Sequence, residues 1–284
     1  MPNLTVLRLI VALLVLSAFL AFVLNACGKK EEGPPPPVQI QEPESLPTPA
    51  YLQGQEEAPV KVDLNLLFLH HSCGSNWLAG DNGGLRQTLE KQGFQVHNAT
   101  YGSKIGEHTD VIHWAPKFQE HMDLILKTKH QDQTLPEGKT NQVVLFKSCY
   151  PNSNIHAPGE KPKWDPQGLA TVANYKLAYQ ALLPMFARHP DVLFVAVTAP
   201  PLLQRKTTPE NAARAKEFNE WLVNEWPKAH KNVATFDFFG VLRTKEGYLN
   251  YPTRDSHPNK VGNRRATQEF LPFLYRALRR AAQI

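Results

Sequence analysis

The sequence predicts an α/β protein of three layers, α/β/α, with a parallel sheet of five strands and helices on both of its faces. Two observations predict this class. Short apolar runs alternate with segments of helical spacing along residues 61–284, and no internal repeat is present. Parallel strands require crossover connections, which are right-handed. In such sheets ligands bind beyond the carboxyl ends of the strands, so the residues that follow the strands are the candidates for function.

Each element is supported by its own pattern. Five short segments are predicted to be strands, most of them apolar runs of the length of buried strands. They are Val62–Leu69, Phe94–Ala99, Gln142–Lys147, Val192–Thr198 and Val233–Phe236. Five segments have apolar residues spaced three and four apart, which is typical of helices. They are Leu85–Gln92, Phe118–Lys129, Leu169–Arg188, Pro209–Trp226 and Gly262–Ala282. Thr208 is a candidate cap ahead of Pro209, and Pro272 predicts a kink in the last helix.

The composition of the 284 residues excludes several classes of protein. A hydrophobic content of 42% and a charged content of 20% indicate a globular chain rather than a disordered one. Three cysteines are too few for a small domain stabilised by many disulfides. The formal charge is only +5, and no block of Lys or Arg is longer than a pair such as Arg279–Arg280. We therefore expect no nucleic-acid partner.

The N-terminal 60 residues differ from the rest. Residues 1–26 are largely apolar, and Ile10–Leu24 is a run of the length of a signal-peptide core. The run ends in Leu24-Asn25-Ala26-Cys27-Gly28, which resembles a bacterial lipobox. The resemblance implies cleavage after Ala26 and lipidation of Cys27; the alternative is an uncleaved membrane anchor. Residues 27–60 are rich in proline and predict a tether, which leaves residues 61–284 as the folded domain.

Polar or small residues follow the first three strands. The first leads into His70-His71-Ser72-Cys73-Gly74, the second into Tyr101–Gly106, and the third into Lys147–Asn154. A further polar segment, Asp255-Ser256-His257, precedes the last helix. A serine is a nucleophile only beside a base, and an Asp near a His fixes the tautomer of the imidazole. Each segment by itself is equally compatible with an ordinary turn.

Taken together, the order of these segments resembles the SGNH hydrolases, also called the GDSL esterase/lipase-like superfamily. The resemblance covers Val62 to the C-terminus. It implies a flavodoxin-like fold and a serine esterase that needs no cofactor. It also implies that Ser72 is the nucleophile, that His257 is the general base and that Asp255 orients His257.

The resemblance further implies an oxyanion hole formed by the backbone N–H groups of Ser72 and Gly106 and by the side chain of Asn152, with Asn154 as the alternative. The sequence departs from the family pattern at three places. The usual Gly-Asp-Ser is here His-His-Ser, as in a divergent and often exported branch. The Asn falls later in its loop, and Asp-x-His is one residue tighter than Asp-x-x-His. A catalytically inactive relative that binds glycan or a partner protein therefore remains an alternative.

Two other types of site are compatible with the residues at the same edge of the sheet. His70, His71, His257 and Asp255 have the chemistry of zinc ligands, but the family resemblance explains them without a metal, so we expect no metal site. Cys73 and Cys149 follow strands that end at this edge. Outside the cytoplasm we expect them to form a disulfide, in preference to a role for Cys73 as a thiol nucleophile.

The sequence thus predicts an exported serine esterase tethered to a membrane through its N-terminal lipid, with its domain facing the periplasm or the exterior. The expected substrate is an O-acylated polysaccharide of the cell envelope or exterior, or else a small ester. The long stretch Tyr150–Gln167 exceeds ordinary connections and is expected to shape a substrate cleft. Aromatic residues near the edge, Trp164 among them, either stack on sugar rings or cap the core.

Overall fold

The computed structural model describes residues 46–284, in which seven strands form one sheet with helices on both faces. The predicted α/β class with three layers is confirmed. The sheet order is β4-β3-β2-β1-β5-β6-β7, and every neighbouring pair is parallel except β3 with β4. The strands are β1 (Leu64–Leu69), β2 (Phe94–Ala99), β3 (Thr128–His130), β4 (Gln133–Thr134), β5 (Val143–Lys147), β6 (Leu193–Val197) and β7 (Val233–Phe236). The predictions for residues 1–45 lie outside the described residues.

Eight α-helices cover the two faces of the sheet within the described residues. They are α1 (Ser72–Leu78), α2 (Leu85–Lys91), α3 (Trp114–Lys127), α4 (Val172–Gln180), α5 (Leu183–Phe186), α6 (Pro209–Asn224), α7 (Phe238–Leu242) and α8 (Lys260–Arg280). Successive residues of a strand point to opposite faces. In β1, Leu66 and Phe68 accordingly pack with α1, α2 and α8, whereas Leu67 and Leu69 pack with α3 to α6. None of the helices in this part of the chain is long and apolar enough to cross a bilayer.

The sheet has two strands more than the five predicted. The additional strands β3 and β4 are three and two residues long, lie at the edge of the sheet and are mostly exposed. Their polar residues show neither an apolar run nor an alternation, so sequence periodicity does not detect them. Residues 128 and 129 had been assigned to the preceding helix, which begins earlier, at Trp114, and ends at Lys127.

The helices differ from the prediction in three respects. The predicted long helix Leu169–Arg188 is two helices, α4 and α5, and Pro184 near the start of α5 cannot donate a hydrogen bond to the preceding turn. The short helices α1 and α7 were not predicted. The last helix, α8, runs through Pro272 as one element from Lys260 to Arg280, and the Asn259 side chain caps it by accepting from the N–H groups of residues 261 and 262.

The predicted tether is shorter than residues 27–60 at its C-terminal end. A 3₁₀ helix, Ala50–Leu52, packs on the domain, and Leu52 is completely buried in the core beside α8. The Tyr51 hydroxyl accepts from the backbone N–H of Thr235 in β7, at 3.0 Å. These two large side chains supply the apolar contact that a proline-rich segment otherwise lacks.

Candidate active site

Ser72 and His257 meet at the carboxyl edge of the sheet, although they are 185 residues apart in the chain. Strand β1 ends at Leu69, and after two residues Ser72 begins helix α1. His257 lies in the loop that precedes α8. The distance from Ser72 Oγ to His257 Nε2 is 2.8 Å, and the distance from His257 Nδ1 to Asp255 Oδ1 is also 2.8 Å. The structure therefore brings together the three residues that were predicted as nucleophile, base and orienting carboxylate.

The tight Asp255-Ser256-His257 spacing fixes the imidazole of His257 in two ways. Asp255 Oδ1 accepts from both the ring Nδ1–H and the backbone N–H of His257, the latter at 2.9 Å. The Thr253 hydroxyl donates to the same oxygen at 3.0 Å. The buried Ser256 hydroxyl accepts from the N–H of Leu203 at 3.2 Å and anchors the loop to the domain. The Asp-x-His spacing, one residue shorter than the family pattern, thus still places the Asp255 carboxylate in contact with the His257 ring.

The hydrogen bonds of Asp255 determine which nitrogen of His257 carries the proton. Hydrogen bonds from the backbone N–H and then from the ring of His257 lower the pKa of Asp255 to about 2. An ionised carboxylate only accepts, so Nδ1 of His257 carries a hydrogen. In the neutral imidazole, Nε2 then presents its lone pair to the Ser72 hydroxyl. This is the tautomer that a general base for Ser72 requires.

Cys149 is a further group at the nucleophile, for which the sequence predicts only a disulfide. Its Sγ lies 3.6 Å from Ser72 Oγ. Cys73 and Cys149 are free thiols here, in contrast to the predicted disulfide. They interact instead through a hydrogen bond from the Cys73 thiol, which, together with the positive charge of Lys147, lowers the pKa of the Cys149 thiol. The predicted proximity of the two cysteines is therefore present, but their covalent bond is not.

Lys147 is completely buried beneath this edge of the sheet. Its Nζ donates to the carbonyl oxygen of Ser148 at 3.0 Å and lies 5.5 Å from the centre of the Phe238 ring. Sequence periodicity does not predict that this ammonium group is buried. The pattern identifies the apolar residues of the strand as buried but does not indicate where the lysine at its end lies. The ammonium group strengthens the positive potential near Cys149 and Ser72.

The two histidines ahead of Ser72 support the turn that presents it. The ring of His70 is buried against Phe68, and its Nδ1–H donates to the carbonyl oxygen of His71 at 2.9 Å. Burial lowers the pKa of His70 to about 4. Gly74 is required beside this ring, because a Cβ there would lie 2.4 Å from the Cβ of His70. The ring of His71 stacks on Tyr101 at 3.8 Å.

Gly106 does not offer its backbone N–H as an oxyanion donor. That N–H donates to the hydroxyl of Ser103 at 2.8 Å and to its carbonyl oxygen at 3.2 Å. The carbonyl oxygen of Gly106 accepts from His71 Nε2 at 2.8 Å. A Cβ on Gly106 would lie 2.0 Å from the carbonyl oxygen of Thr100, so glycine is needed for a close backbone approach. Gly106 therefore supports the loop around His71.

The two candidate asparagines are also engaged in other contacts. Asn152 Nδ2 donates to Asp110 Oδ1 at 2.8 Å, and Asn152 Oδ1 accepts from the backbone N–H of Val111 at 2.9 Å. Asn154 Oδ1 accepts from Thr207 and Asn211, each at 3.0 Å. Asn152 was predicted to bind the oxyanion, but its side-chain contacts instead join the loop after β5 to the segment ahead of α3. The sequence identifies the amide side chain but not its hydrogen-bond partner.

The cavities of the domain differ in their distance from the triad in the chain. One cavity, of about 620 Å³, lies between residues 46–52, β7 and α8 and is lined by none of the triad residues. A smaller cavity, of about 180 Å³, is lined by residues of the loop that follows β5. Within residues 46–284, no group of three His, Cys, Asp or Glu side chains is arranged to hold a metal ion.

Comparisons with known proteins add little to this geometry. No protein-family model matches the sequence, and no curated protein matches it. Among solved structures, the chain is similar to the periplasmic domain of a lipopolysaccharide acetyltransferase from Salmonella ser. Paratyphi A. The identity is 14%, the match covers 75% of this chain and 84% of that one, and the TM-score is 0.41. A likeness at this level carries no argument about function.

Proposed function

We propose that the protein is a serine esterase of the SGNH type, in which Ser72 is the nucleophile, His257 the general base and Asp255 the orienting carboxylate. The observation that carries the proposal is the imidazole of His257, which contacts Ser72 on one nitrogen and Asp255 on the other, both at 2.8 Å. A nucleophile, a base and a carboxylate in series are the arrangement that activates a serine hydroxyl.

In this proposal, Ser72 Oγ attacks the carbonyl carbon of the ester while its proton passes to His257 Nε2. Asp255 stabilises the resulting imidazolium. The intermediate collapses with cleavage of the ester C–O bond, His257 returns the proton to the departing alcohol, and the acyl group remains on Ser72. A water molecule then gives a proton to Nε2 and attacks the acyl carbon, which releases the carboxylic acid and restores the Ser72 hydroxyl.

The oxyanion of the intermediate requires N–H donors. The backbone N–H of Ser72 is the first of helix α1, where N–H groups have no acceptor within the helix, and it is the donor that the proposal retains. Of the other expected donors, Gly106 and Asn152 bond elsewhere, and the alternative, Asn154, is held through its Oδ1 by Thr207 and Asn211. This shortage favours a second candidate function, namely a non-catalytic module that binds glycan or a partner protein through the same face.

The test is hydrolysis of a panel of short-chain aryl esters and O-acetylated sugars by the wild type and by Ser72→Ala. We expect turnover by the wild type and a loss of nearly all of it in the variant. Full activity in Ser72→Ala contradicts the mechanism. No activity in the wild type across the panel, combined with binding of unreacted glycan, favours the binding module.

We also propose that the domain is exported and tethered. The lipobox-like segment ending in Cys27 and the proline-rich residues that follow it support a signal peptide at residues 1–26 and a lipidated N-terminus. An O-acylated envelope polysaccharide is then the first candidate substrate, and a small ester is the second. Mass spectrometry of the membrane-extracted protein should show loss of residues 1–26 and added acyl mass. An intact Met1 terminus in the membrane fraction contradicts this part of the proposal.

A further inference from the structure

A small cavity opens beside the turn that contacts the triad. Pro151 and Asn152 line it, and Asn152 donates its backbone N–H to the carbonyl oxygen of Cys149. Tyr150, in the same turn, packs edge-on against the ring of His257, with 5.0 Å between the ring centres. The cavity is therefore connected to the candidate catalytic centre through one short stretch of chain, residues 149–152.

Trp164 forms one wall of this cavity and is 47% exposed, the one tryptophan in residues 46–284 that is left as an exposed large hydrophobic side chain. Trp164 is held in place by neighbouring residues, although its ring is not buried in the core. Its ring packs edge-on against the ring of His156, and His156 Nε2 forms a buried 2.6 Å hydrogen bond with Asp165, which also lines the cavity. A large apolar ring held at a cavity wall and still exposed to water is a surface on which a ligand can stack.

The polar groups of the cavity indicate the chemistry of that ligand. Asp110 is exposed; Asn152 donates to its Oδ1 at 2.8 Å, His113 Nδ1 lies 3.6 Å from its Oδ2, and the carboxylate has capacity for further donors. Asp165 adds a second carboxylate, whose Oδ2 already accepts from His156 and from the N–H of Ala170, and no Lys, Arg or His is among the described residues that line the cavity. Such a site accepts hydrogen bonds from hydroxyl groups and repels anions.

The size of the cavity limits the ligand to one small unit. Its volume of about 180 Å³ is below the roughly 300–1,000 Å³ typical of pockets for drug-sized ligands. A single ring that is apolar on its faces and carries hydroxyl groups around its edge matches the combination of Trp164 and Asp110.

We propose that this cavity is a subsite for one neutral sugar ring of an acylated polysaccharide, in which Trp164 stacks on the ring and Asp110 accepts hydrogen bonds from its hydroxyl groups. The inference rests on the proposed esterase function and names its substrate class. The ring bound there is a neighbour in the chain of the sugar whose ester lies at Ser72.

The test compares two substrates, O-acetylated xylobiose and an aryl acetate that lacks a sugar. For Trp164→Ala we expect kcat/KM to fall roughly tenfold more on acetylated xylobiose than on the aryl acetate. Asp110→Asn, which keeps the shape of the side chain, should shift the ratio in the same direction. Leu177→Ala, an exposed apolar residue outside the cavity, is the matched control and should leave both activities unchanged. O-acetylated digalacturonate, an anionic substrate, should be a poorer substrate than acetylated xylobiose for the wild type.

Three outcomes overturn the subsite. They are an equal loss on both substrates, no loss on either, and a change in preference between aryl acetate and aryl butyrate, which would indicate an acyl pocket instead. Thermal melting of each variant identifies loss of fold, and the milder Trp164→Phe, which keeps an aromatic ring, should retain most of the selectivity.

A binding measurement separates failure of the subsite from failure of the esterase proposal. Calorimetric titration of Ser72→Ala with xylobiose should show binding that is lost when Trp164→Ala is added. If the wild type hydrolyses no ester but this binding is present, the esterase fails and the subsite stands. If hydrolysis is normal and Trp164→Ala has no effect on either measurement, the subsite fails and the esterase stands.

Discussion

The Cys149 sulfur lies 3.6 Å from the Ser72 hydroxyl oxygen, so that a thiol at the end of β5 adjoins the candidate nucleophile at the start of α1. The same sulfur accepts a hydrogen bond from the Cys73 thiol, which lowers the pKa of the Cys149 thiol. A cysteine with thiolate character is reactive toward alkylating agents and oxidants. The space in front of Ser72 is therefore sensitive to the chemical state of Cys149.

This contact predicts that alkylation of Cys149 inhibits hydrolysis. Iodoacetamide should abolish most activity of the wild type, because the added group occupies the space beside Ser72. Cys149→Ala should resist the reagent. Cys73→Ala should still be inhibited, but more slowly, because loss of the Cys73 hydrogen bond raises the pKa of the Cys149 thiol. Peptide mapping identifies the modified residue. Unchanged activity after complete modification of Cys149 contradicts the prediction.

Ser72 and His257 should act as one unit. Replacement of either by Ala is expected to abolish most turnover, and the double variant should be little worse than either single one, because each removes the same proton transfer. The measurement is kcat/KM on an aryl acetate for the three variants and the wild type. Losses that simply multiply would show that the two residues act independently.

The pKa of Asp255, about 2, should depend on His257. In His257→Ala the ring no longer donates to the carboxylate while the backbone N–H of residue 257 remains, so the pKa should rise part of the way to its ordinary value near 4. The ¹³C chemical shift of the Asp255 carboxyl, followed against pH, gives the midpoint. A midpoint that does not move would show that the ring contributes nothing to the carboxylate.

Asn152→Ala should mainly destabilise the fold. The substitution leaves the buried N–H of Val111 without its acceptor, which costs about 1–3 kcal/mol of unfolding free energy. Denaturant unfolding and turnover should be measured on the same samples, with Asn154→Ala for comparison. A loss of 10²–10³-fold in turnover at unchanged stability would instead show that Asn152 is an oxyanion donor, as first expected from the sequence.

His70 should make the fold less stable at acidic pH. Burial lowers its pKa to about 4 in the folded protein, whereas the unfolded chain takes up the proton near pH 6.5. The unfolded state therefore binds more protons between these values, and stability falls as the pH falls through them, by up to about 3 kcal/mol. Burial raises the pKa of Asp237 to about 6, which makes the fold more stable as the pH falls. This contribution is present both in the wild type and in a variant of His70, so it does not affect the difference between them.

The measurement is the unfolding free energy of the wild type and His70→Gln from pH 7 to pH 4. The variant should lose less stability over this range than the wild type, even if it is less stable throughout. The exposed His130→Gln is the control and should keep the slope of the wild type. An unchanged slope in His70→Gln contradicts the prediction.

The strands of the sheet show which features of the fold can be predicted from sequence. The strands Phe94–Ala99 and Val233–Phe236 were predicted with the bounds observed. All four residues of the second are buried, and burial on both faces favours residues that are mostly apolar or β-branched. The edge strands at residues 128–134 are mostly exposed and carry no such requirement. Helix α1 was missed for a different reason, because it contains Gly74, Ser75 and Asn76, residues that are typical of turns.

The α/β class could be predicted from the sequence because strand patterns are local, and the resemblance to the SGNH hydrolases pointed to Ser72, His257 and Asp255. The partners of these groups became known from the folded structure. It set the 2.8 Å contact between Ser72 and His257, directed the amide of Asn152 to Asp110 and the N–H of Gly106 to Ser103, and brought Cys149 to the nucleophile. The physical reason is that each group competes for many possible hydrogen-bond partners, and the packing of distant segments settles which partner is within reach.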